Sequence, residues 1–521
     1  MGPIFTEEPP MPPILETAPT SRETSPAAAG RCLIGGRREA GRGAVVRPVR
    51  DPADVREVVA EVREADAAQV VEACAAAARA FPAWRAVPAP ERARVLFRYR
   101  ELLEKNLPDL ALSVVRENGK LLDEAKGSVR RGIDVVEFAC GIPTQMTGRT
   151  LPDVSRDVDT YDVREPLGVV AGIPPFNFPA MIPLWMMPVA VACGNAFLLK
   201  PSEKCPLTAT RLAELFEEAG LPPGIVNVLQ GGREVAEALI ADPRVDAVSS
   251  VGSTAAAAAI YRAAGERGKR VQALGGAKNH LVVMPDADLA RSMPALIGSF
   301  FGCAGQRCLA GSVLVPVGDR ARQDAVVDSF VAAARAIRLG RGTDPGAGMG
   351  PLQSPEHRDR VVAWIDRGVA EGAELLLDGR AARAEGLPHG CFTGPTVFDG
   401  VPPEAAVARE EIFGPVAVLL RAADLDGAIA HIRRSPYGNS ASIFTASGAA
   451  ARAFRERVPC GMLGVNLGVP APPAFFSFGG WKGSLFGDLH AHGPDAVAFY
   501  TRRKVVTERW YGAERPVEGW V

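Results

Sequence analysis

The sequence predicts an α/β protein whose sheets are largely parallel and covered by helices on both faces. From Leu151 onward, short apolar strand-like runs alternate with helical segments, and Gly, Pro or Ser turns join them. That is the pattern of sheets buried on both sides. The chain also has 521 residues, too many for one hydrophobic core, so two or three domains are expected.

Residues 1–30 are rich in Pro, Thr, Ser and Glu, without aliphatic periodicity, and read as a disordered arm. Four glutamates against one arginine there argue against a mitochondrial presequence, and the missing apolar core against a secretory signal. From about residue 52 to 140 the pattern is helical, with apolar residues at three- and four-residue spacing in Asp66–Ala80 and Glu91–Arg116. Strands are then expected at Leu167–Ile173, Ala196–Lys200, Ile225–Leu229, Ala247–Val251 and Val271–Leu274. Helices are expected between them at Met181–Cys193, Leu207–Ala219, Glu234–Ala241 and Thr254–Gly265. Such sheets bind nucleotides at the carboxyl ends of their strands. A second α/β pattern starts at His280–Met284 and continues through a helix near Leu289–Phe301, a strand at Ser312–Val317, and further elements to about residue 480. Phe499 to Val521 is extended, aromatic and charged, and suits an arm that pairs with a partner subunit.

Composition adds exclusions. The chain is 47% apolar and 23% charged with a net charge of -1, close to an average soluble protein. Nothing here draws it electrostatically to nucleic acid or a membrane surface. No apolar stretch reaches the roughly 20 residues of a membrane span. The nine cysteines (Cys32, Cys74, Cys140, Cys193, Cys205, Cys303, Cys308, Cys391 and Cys460) are scattered, with no CxxC pair or metal-ligand spacing. Reduced thiols in a cytoplasmic protein, with no metal, are expected.

One thiol is singled out by its surroundings. Phe301-Gly-Cys-Ala-Gly-Gln-Arg-Cys308 runs off a helix through Gly305 onto Cys308, just before a strand. On such a turn backbone N–H groups and Arg307 favour a thiolate, although a cysteine before a strand more often simply packs. Gly305-Gln-Arg-Cys308, Pro175-Phe-Asn-Phe-Pro179, Lys200-Pro-Ser-Glu203, Val251-Gly-Ser-Thr254 and Glu410-Glu-Ile-Phe-Gly-Pro415 together resemble the motifs of the aldehyde dehydrogenase superfamily. They occur in the family's order, and the resemblance covers roughly residues 35 to 515.

The resemblance implies an NAD-binding Rossmann-type domain (31–150 and 166–281), an α/β catalytic domain (282–485) and a β oligomerisation arm (151–165 and 499–521). A homo-oligomer, dimer or tetramer, goes with it. It makes Cys308 the nucleophile that attacks an aldehyde. Asn177 and the Cys308 backbone N–H would then face the developing oxyanion, where one donor is typically worth about 2.7–4 kcal/mol. Lys200 and Glu203 would meet a ribose, the carboxylate favouring NAD over its 2′-phosphorylated form. Ser253 opens a helix whose N–H groups suit a pyrophosphate. Glu411 and Phe413 would hold the nicotinamide ribose, with Phe176, Lys204 and Gly275 also around the cofactor.

The sequence departs from the hydrolytic pattern at one place. In Gln272-Ala-Leu-Gly-Gly-Ala-Lys-Asn-His280, Ala273 stands where hydrolytic members carry a glutamate that activates water. Alanine cannot take a proton, so a better nucleophile, the thiol of coenzyme A, is expected to release the acyl group. That stretch, with Val283-Met-Pro-Asp-Ala-Asp-Leu289, Phe478-Gly-Gly-Trp-Lys482, Phe486-Gly-Asp488 and Val506-Thr-Glu-Arg-Trp510, resembles the CoA-acylating methylmalonate-semialdehyde dehydrogenase branch. The branch implies a carboxylated aldehyde substrate held by Arg131 and Arg307, whose planar forks suit a carboxylate. Arg130 is an immediate neighbour to which the first assignment could slip. Two other readings stay open: a hydrolytic NAD-dependent dehydrogenase giving a free acid, and a binding protein on a dehydrogenase scaffold. Product identity with and without coenzyme A separates the first; an unreactive Cys308 would favour the second.

Overall fold

Apolar runs with no face to offer to water build two sheets in the computed structural model, which describes residues 30–511. The first sheet runs Arg37–Glu39, Cys32–Ile34, Val226–Val228, Ala196–Leu199, Val169–Ile173, Val245–Val251, Arg270–Leu274, Leu485–Phe486. Its central strands from Val226–Val228 to Arg270–Leu274 are parallel, and the flanking ones antiparallel. Every residue of Val169–Ile173 and Ala196–Leu199 is buried, as the absence of alternation requires. Helix Met181–Ala192, buried along its whole length, packs against helix Leu122–Cys140. From Val169–Ile173 the chain moves to one side to form Ala196–Leu199 and Val226–Val228. It later crosses back to lay Val245–Val251 on the other side. This reversal opens a crevice at the carboxyl ends of these strands.

The second sheet runs Glu374–Leu377, Thr396–Asp399, Val416–Leu419, Gly311–Pro316, Asn279–Val283, Ser440–Phe444, Met462–Val465. It is parallel apart from the first of these. Residues 275–278 are all that separate Leu274, the end of a first-sheet strand, from Asn279, the start of a second-sheet strand. A third, antiparallel sheet joins Thr150–Ser155, Val158–Pro166 and Thr501–Arg509. Among the described residues no helix is long and apolar enough to cross a membrane, and no group of side chains has the make-up of a metal site.

The structure corrects the expectation of a helical pattern starting at about residue 52. Asp54–Arg63 is a strand paired antiparallel with Val46–Asp51. Val55, Val58, Val59 and Val62 fall at helical spacing, but β-branched side chains are stiff in a helix and fit a pleated surface. Glu91–Arg116 is two helices, Ala89–Lys105 and Leu107–Asn118, divided at Asn106, with Pro108 in the first turn of the second. Asp66 caps the preceding helix, Ala67–Ala86, through a reciprocal pair of bonds with Gln69. Residues 1–29 of the expected N-terminal arm, and 512–521 at the far end, lie outside the described residues.

Candidate active site

The crevice is lined by the loops that follow four neighbouring strands of the first sheet. Phe176 and Asn177 follow Ile173, Lys200 to Lys204 follow Leu199, Ser253 follows Val251, and Gly275 follows Leu274. Against them stand residues just before strands of the second sheet: Cys308 before Gly311–Pro316, Glu411 and Phe413 before Val416–Leu419, and Asn439 before Ser440–Phe444. Strand ends of one sheet therefore meet strand starts of the other.

Cys308 follows a tight turn, Gly302–Gly305, in which Cys303 and Ala304 both take φ +52. Gly305 has φ +70, and a Cβ there would lie 2.2 Å from the Gly414 carbonyl, so only glycine fits. The Cys308 carbonyl accepts the side-chain amides of Asn279 at 2.8 Å and Asn439 at 2.7 Å. Asn279 opens the adjacent strand and Asn439 precedes the strand beyond it, so the Cys308 backbone is held by both. Burial, and then the charge of Glu411, push the Cys308 thiol up to about 12. Asn177 is buried, and its amide donates to the Gln306 carbonyl at 2.9 Å. An amide carries two N–H donors, so one remains for an oxyanion. Ala273 is fully buried within its strand, between Ser250 and Phe486; a methyl group fills the place of a base.

The residues expected around a cofactor lie on the same crevice. The Phe176 ring meets those of Phe413 and His357 edge-on, at 5.9 and 6.0 Å, and the Lys204 ammonium sits 5.1 Å from its centre. Phe413 holds a left-handed φ of +61, uncommon without glycine. Its carbonyl is bonded by His357 Nε2 at 2.8 Å. Arg360 donates to His357 Nδ1 at 2.7 Å, so the proton sits on Nε2 and the ring is neutral. Glu411 Oε1 accepts the Ala277 N–H at 2.9 Å, and burial raises this carboxyl to about 7. Lys278, buried and facing Glu411 and Glu410, is brought down to about 7 by desolvation. Lys200 donates to the Gly231 carbonyl at 2.8 Å and pairs with Glu203 at 3.5 Å. Ser253 caps the helix Thr254–Gly265. A Cβ on Gly275 would stand 2.7 Å from the Gly483 carbonyl, and on Gly276 2.6 Å from Glu411 Oε2. The turn leaves no room for side chains and presents bare backbone beside that helix start, which suits a dinucleotide.

The arginines differ from one another. Arg130 is tied to Glu104 of a neighbouring helix. Arg131 reaches the carbonyls of Ala471 and Pro472, at 3.3 and 2.8 Å. Arg307 donates to Glu124 Oε1 at 2.8 Å, Cys303 Sγ at 3.1 Å and the Gly298 carbonyl at 3.2 Å. It lines a cavity of about 510 Å³ with Glu124, Phe301, Gly468 and Val469. Each nitrogen of this fork already has one partner, and N–H groups remain on the two terminal ones. Sequence reasoning also passed over Glu124, Asn279, Asn439, His357 and Lys120, which touch site residues; Asn279 lies within the Gln272–His280 stretch but had no role assigned there.

The sequence pattern of the aldehyde dehydrogenase family matches residues 39–506, and the chain belongs to that family. It is 50% identical over 478 residues to malonate-semialdehyde dehydrogenase 3 of Geobacillus kaustophilus, covering 92% of this chain and 98% of that one. It is 49% identical to malonate-semialdehyde dehydrogenase of Pseudomonas aeruginosa, covering 87% and 91%. The fold is that of the methylmalonate-semialdehyde dehydrogenase from Oceanimonas doudoroffii, with a TM-score of 0.91, 45% identity, and coverage of 94% and 99%. A Sinorhizobium meliloti protein solved in complex with NAD gives the same score at 44% identity, covering 93% and 98%.

Proposed function

We propose that this enzyme oxidises malonate or methylmalonate semialdehyde and passes the acyl group to coenzyme A, yielding acetyl-CoA or propionyl-CoA with loss of carbon dioxide. The observation that carries this is Ala273: no carboxylate stands where a hydrolytic dehydrogenase needs its base, and the relatives at about half identity are named for carboxylated semialdehydes.

Cys308 gives up its proton to solvent and attacks the aldehyde carbon to form a thiohemiacetal. The free N–H of Asn177 and the Cys308 backbone N–H stabilise its oxyanion. NAD, when bound, accepts the hydride that leaves this carbon. Glu203 and Lys200 are placed for one ribose, Glu411 and Phe413 for the other. Ser253 and Gly275 back the pyrophosphate, and Phe176 and Lys204 wall the pocket. The acyl group's carboxylate leaves as carbon dioxide, the carbon it leaves takes a proton, and the coenzyme A thiol then displaces Cys308 from the thioester as its thiolate. Arg131 and Arg307 supply cations for the substrate carboxylate, Arg307 through Nη1, whose bond to Gly298 is the longest it makes.

We assign residues 31–150 and 166–281 to the NAD-binding domain and 282–485 to catalysis. The sheet of Thr150–Ser155, Val158–Pro166 and Thr501–Arg509 would serve a dimer or tetramer; Leu151, Val505 and Trp510 are exposed on it and beside it. All nine cysteines are free, which suits the cytoplasm.

The deciding experiment is NADH formation from either semialdehyde with and without coenzyme A, followed by mass spectrometry. Steady turnover only with coenzyme A, giving acetyl-CoA or propionyl-CoA, supports the reading. Sustained turnover to free acid without it refutes the role given to Ala273.

A further inference from the structure

The segment Glu117–Lys120 leaves the helix Leu107–Asn118 and supports the site from a second direction. Gly119, at φ +85, ends that helix and turns the chain. The buried Glu117 carboxylate accepts the N–H groups of Leu207 and Thr208, at 2.8 and 2.9 Å. It thereby caps the helix that follows the Lys200–Lys204 turn. Asn118 donates to the Phe176 carbonyl at 3.0 Å. Lys120, 3% exposed, donates to Asn118 Oδ1 at 3.0 Å and to the Asn177 carbonyl. Its ammonium also lies 4.4 Å from the centre of the Phe178 ring. Consecutive carbonyls of the loop that carries the oxyanion donor are therefore clamped from one short turn.

The charge is the unusual part. Among the described residues no carboxylate comes within 4.0 Å of the Lys120 ammonium. Burying a cation without a counter-ion is expensive, and a neutral amide could staple the same carbonyls.

We propose that Lys120 is a positioning residue for the reaction. It fixes the Asn177 backbone so that the free side-chain N–H meets the oxyanion on Cys308, and it holds an unneutralised positive charge against that same residue. Gln306 fixes Asn177 from the other side, through the bond to its amide. This inference rests on Asn177 being the oxyanion donor, and its test separates the two ideas.

The burst of NADH in a single turnover is measured for wild type, Lys120→Met, Lys120→Arg, Asn177→Ala and the Lys120→Met/Asn177→Ala double variant. Lys120→Met is expected to slow the burst roughly 10- to 100-fold, with Lys120→Arg recovering part of the loss. The KM for NAD should stay within about twofold, because the effect is confined to the transition state. In the Asn177→Ala background Lys120→Met should cost less than about twofold, because the two residues act as one unit. An equal loss in both backgrounds, or none in the first, overturns the role of Lys120. If Asn177→Ala alone keeps the wild-type rate, the oxyanion reading falls, and this inference with it. Should Lys120→Met not fold, Asn118→Ala carries the same cycle, since it removes one acceptor of the ammonium and frees the Phe176 carbonyl.

Discussion

Glu124 grips Arg307 from the helix Leu122–Cys140: its Oε1 accepts the guanidinium at 2.8 Å and the Cys303 N–H at 2.7 Å. One carboxylate thus orders both the arginine beside the nucleophile and the turn that presents it. The two side chains are 20% and 16% exposed, so the pair is partly shielded from water. A guanidinium fixed on one side keeps its remaining N–H groups aimed in a constant direction, which a substrate carboxylate can use.

Arg307→Ala should therefore raise the KM for malonate semialdehyde by about tenfold or more, a change of ~1.4 kcal/mol, and leave propanal nearly unaffected. Glu124→Gln should act in the same direction more weakly. Parallel steady-state assays with the two aldehydes decide this; equal effects on both would remove the case for a carboxylate clamp.

Cys308→Ala should lower turnover by about a thousandfold or more while leaving NAD affinity within about twofold. Fluorescence titration with NADH checks the second half. Substantial residual oxidation would point to another nucleophile.

The raised Cys308 thiol gives a pH signature. With its pKa near 12, from burial and then Glu411, the thiol is protonated at neutral pH. Alkylation of the enzyme without cofactor should be slow at pH 7 and keep rising to pH 9 without a plateau. Glu411→Gln removes a neighbouring carboxyl that is charged above about pH 7, so it should speed alkylation from pH 7 to 9. A plateau near pH 7 in the wild-type enzyme would contradict this.

His357 links the site to stability. Burial and the nearby Arg360 lower it from 6.5 to about 3. Between those values the unfolded chain binds the proton and the folded chain does not, so the histidine costs stability progressively as pH falls from about 6.5 towards 3. Thermal unfolding of His357→Gln should show a shallower loss of Tm over that window than wild type. Parallel curves would mean that the ring titrates normally.

Gly276→Ala should disturb the cofactor cradle. Its Cβ would stand 2.6 Å from Glu411 Oε2 and 2.9 Å from Thr254 Oγ1. The carboxylate must move, and the KM for NAD should rise about tenfold. An unchanged KM would show that Glu411 does not read the ribose.

The sequence was most legible where burial leaves a continuous apolar run. Val169–Ile173 and Ala196–Leu199 fall inside the strands expected there because no polar alternation obscures them. Asp54–Arg63 was illegible for the opposite reason: its valines satisfy the helical period, and only pairing with Val46–Asp51 decides between the two states. In the site, Cys308 and Asn177 had roles implied by motifs, whereas Lys120, Asn279 and Asn439 had none. Each of these bonds to a backbone carbonyl, and a carbonyl is the same in every residue, so the acceptor leaves no trace in the sequence. The sequence assigned Arg131 with its neighbour Arg130 one step away, and the helix turns Arg130 to Glu104 and Arg131 to Pro472.

The connection through residues 275–278 ends the first sheet and begins the second within a few bonds. On its way it gives an N–H to Glu411 and leads into the Asn279 amide that holds Cys308. A chimera joining the first sheet of one relative to the second sheet of another would therefore have no neutral splice point there. Lengthening the tether by a single residue would shift the cofactor pocket and the nucleophile's support together, so the two halves can only be exchanged as a matched set.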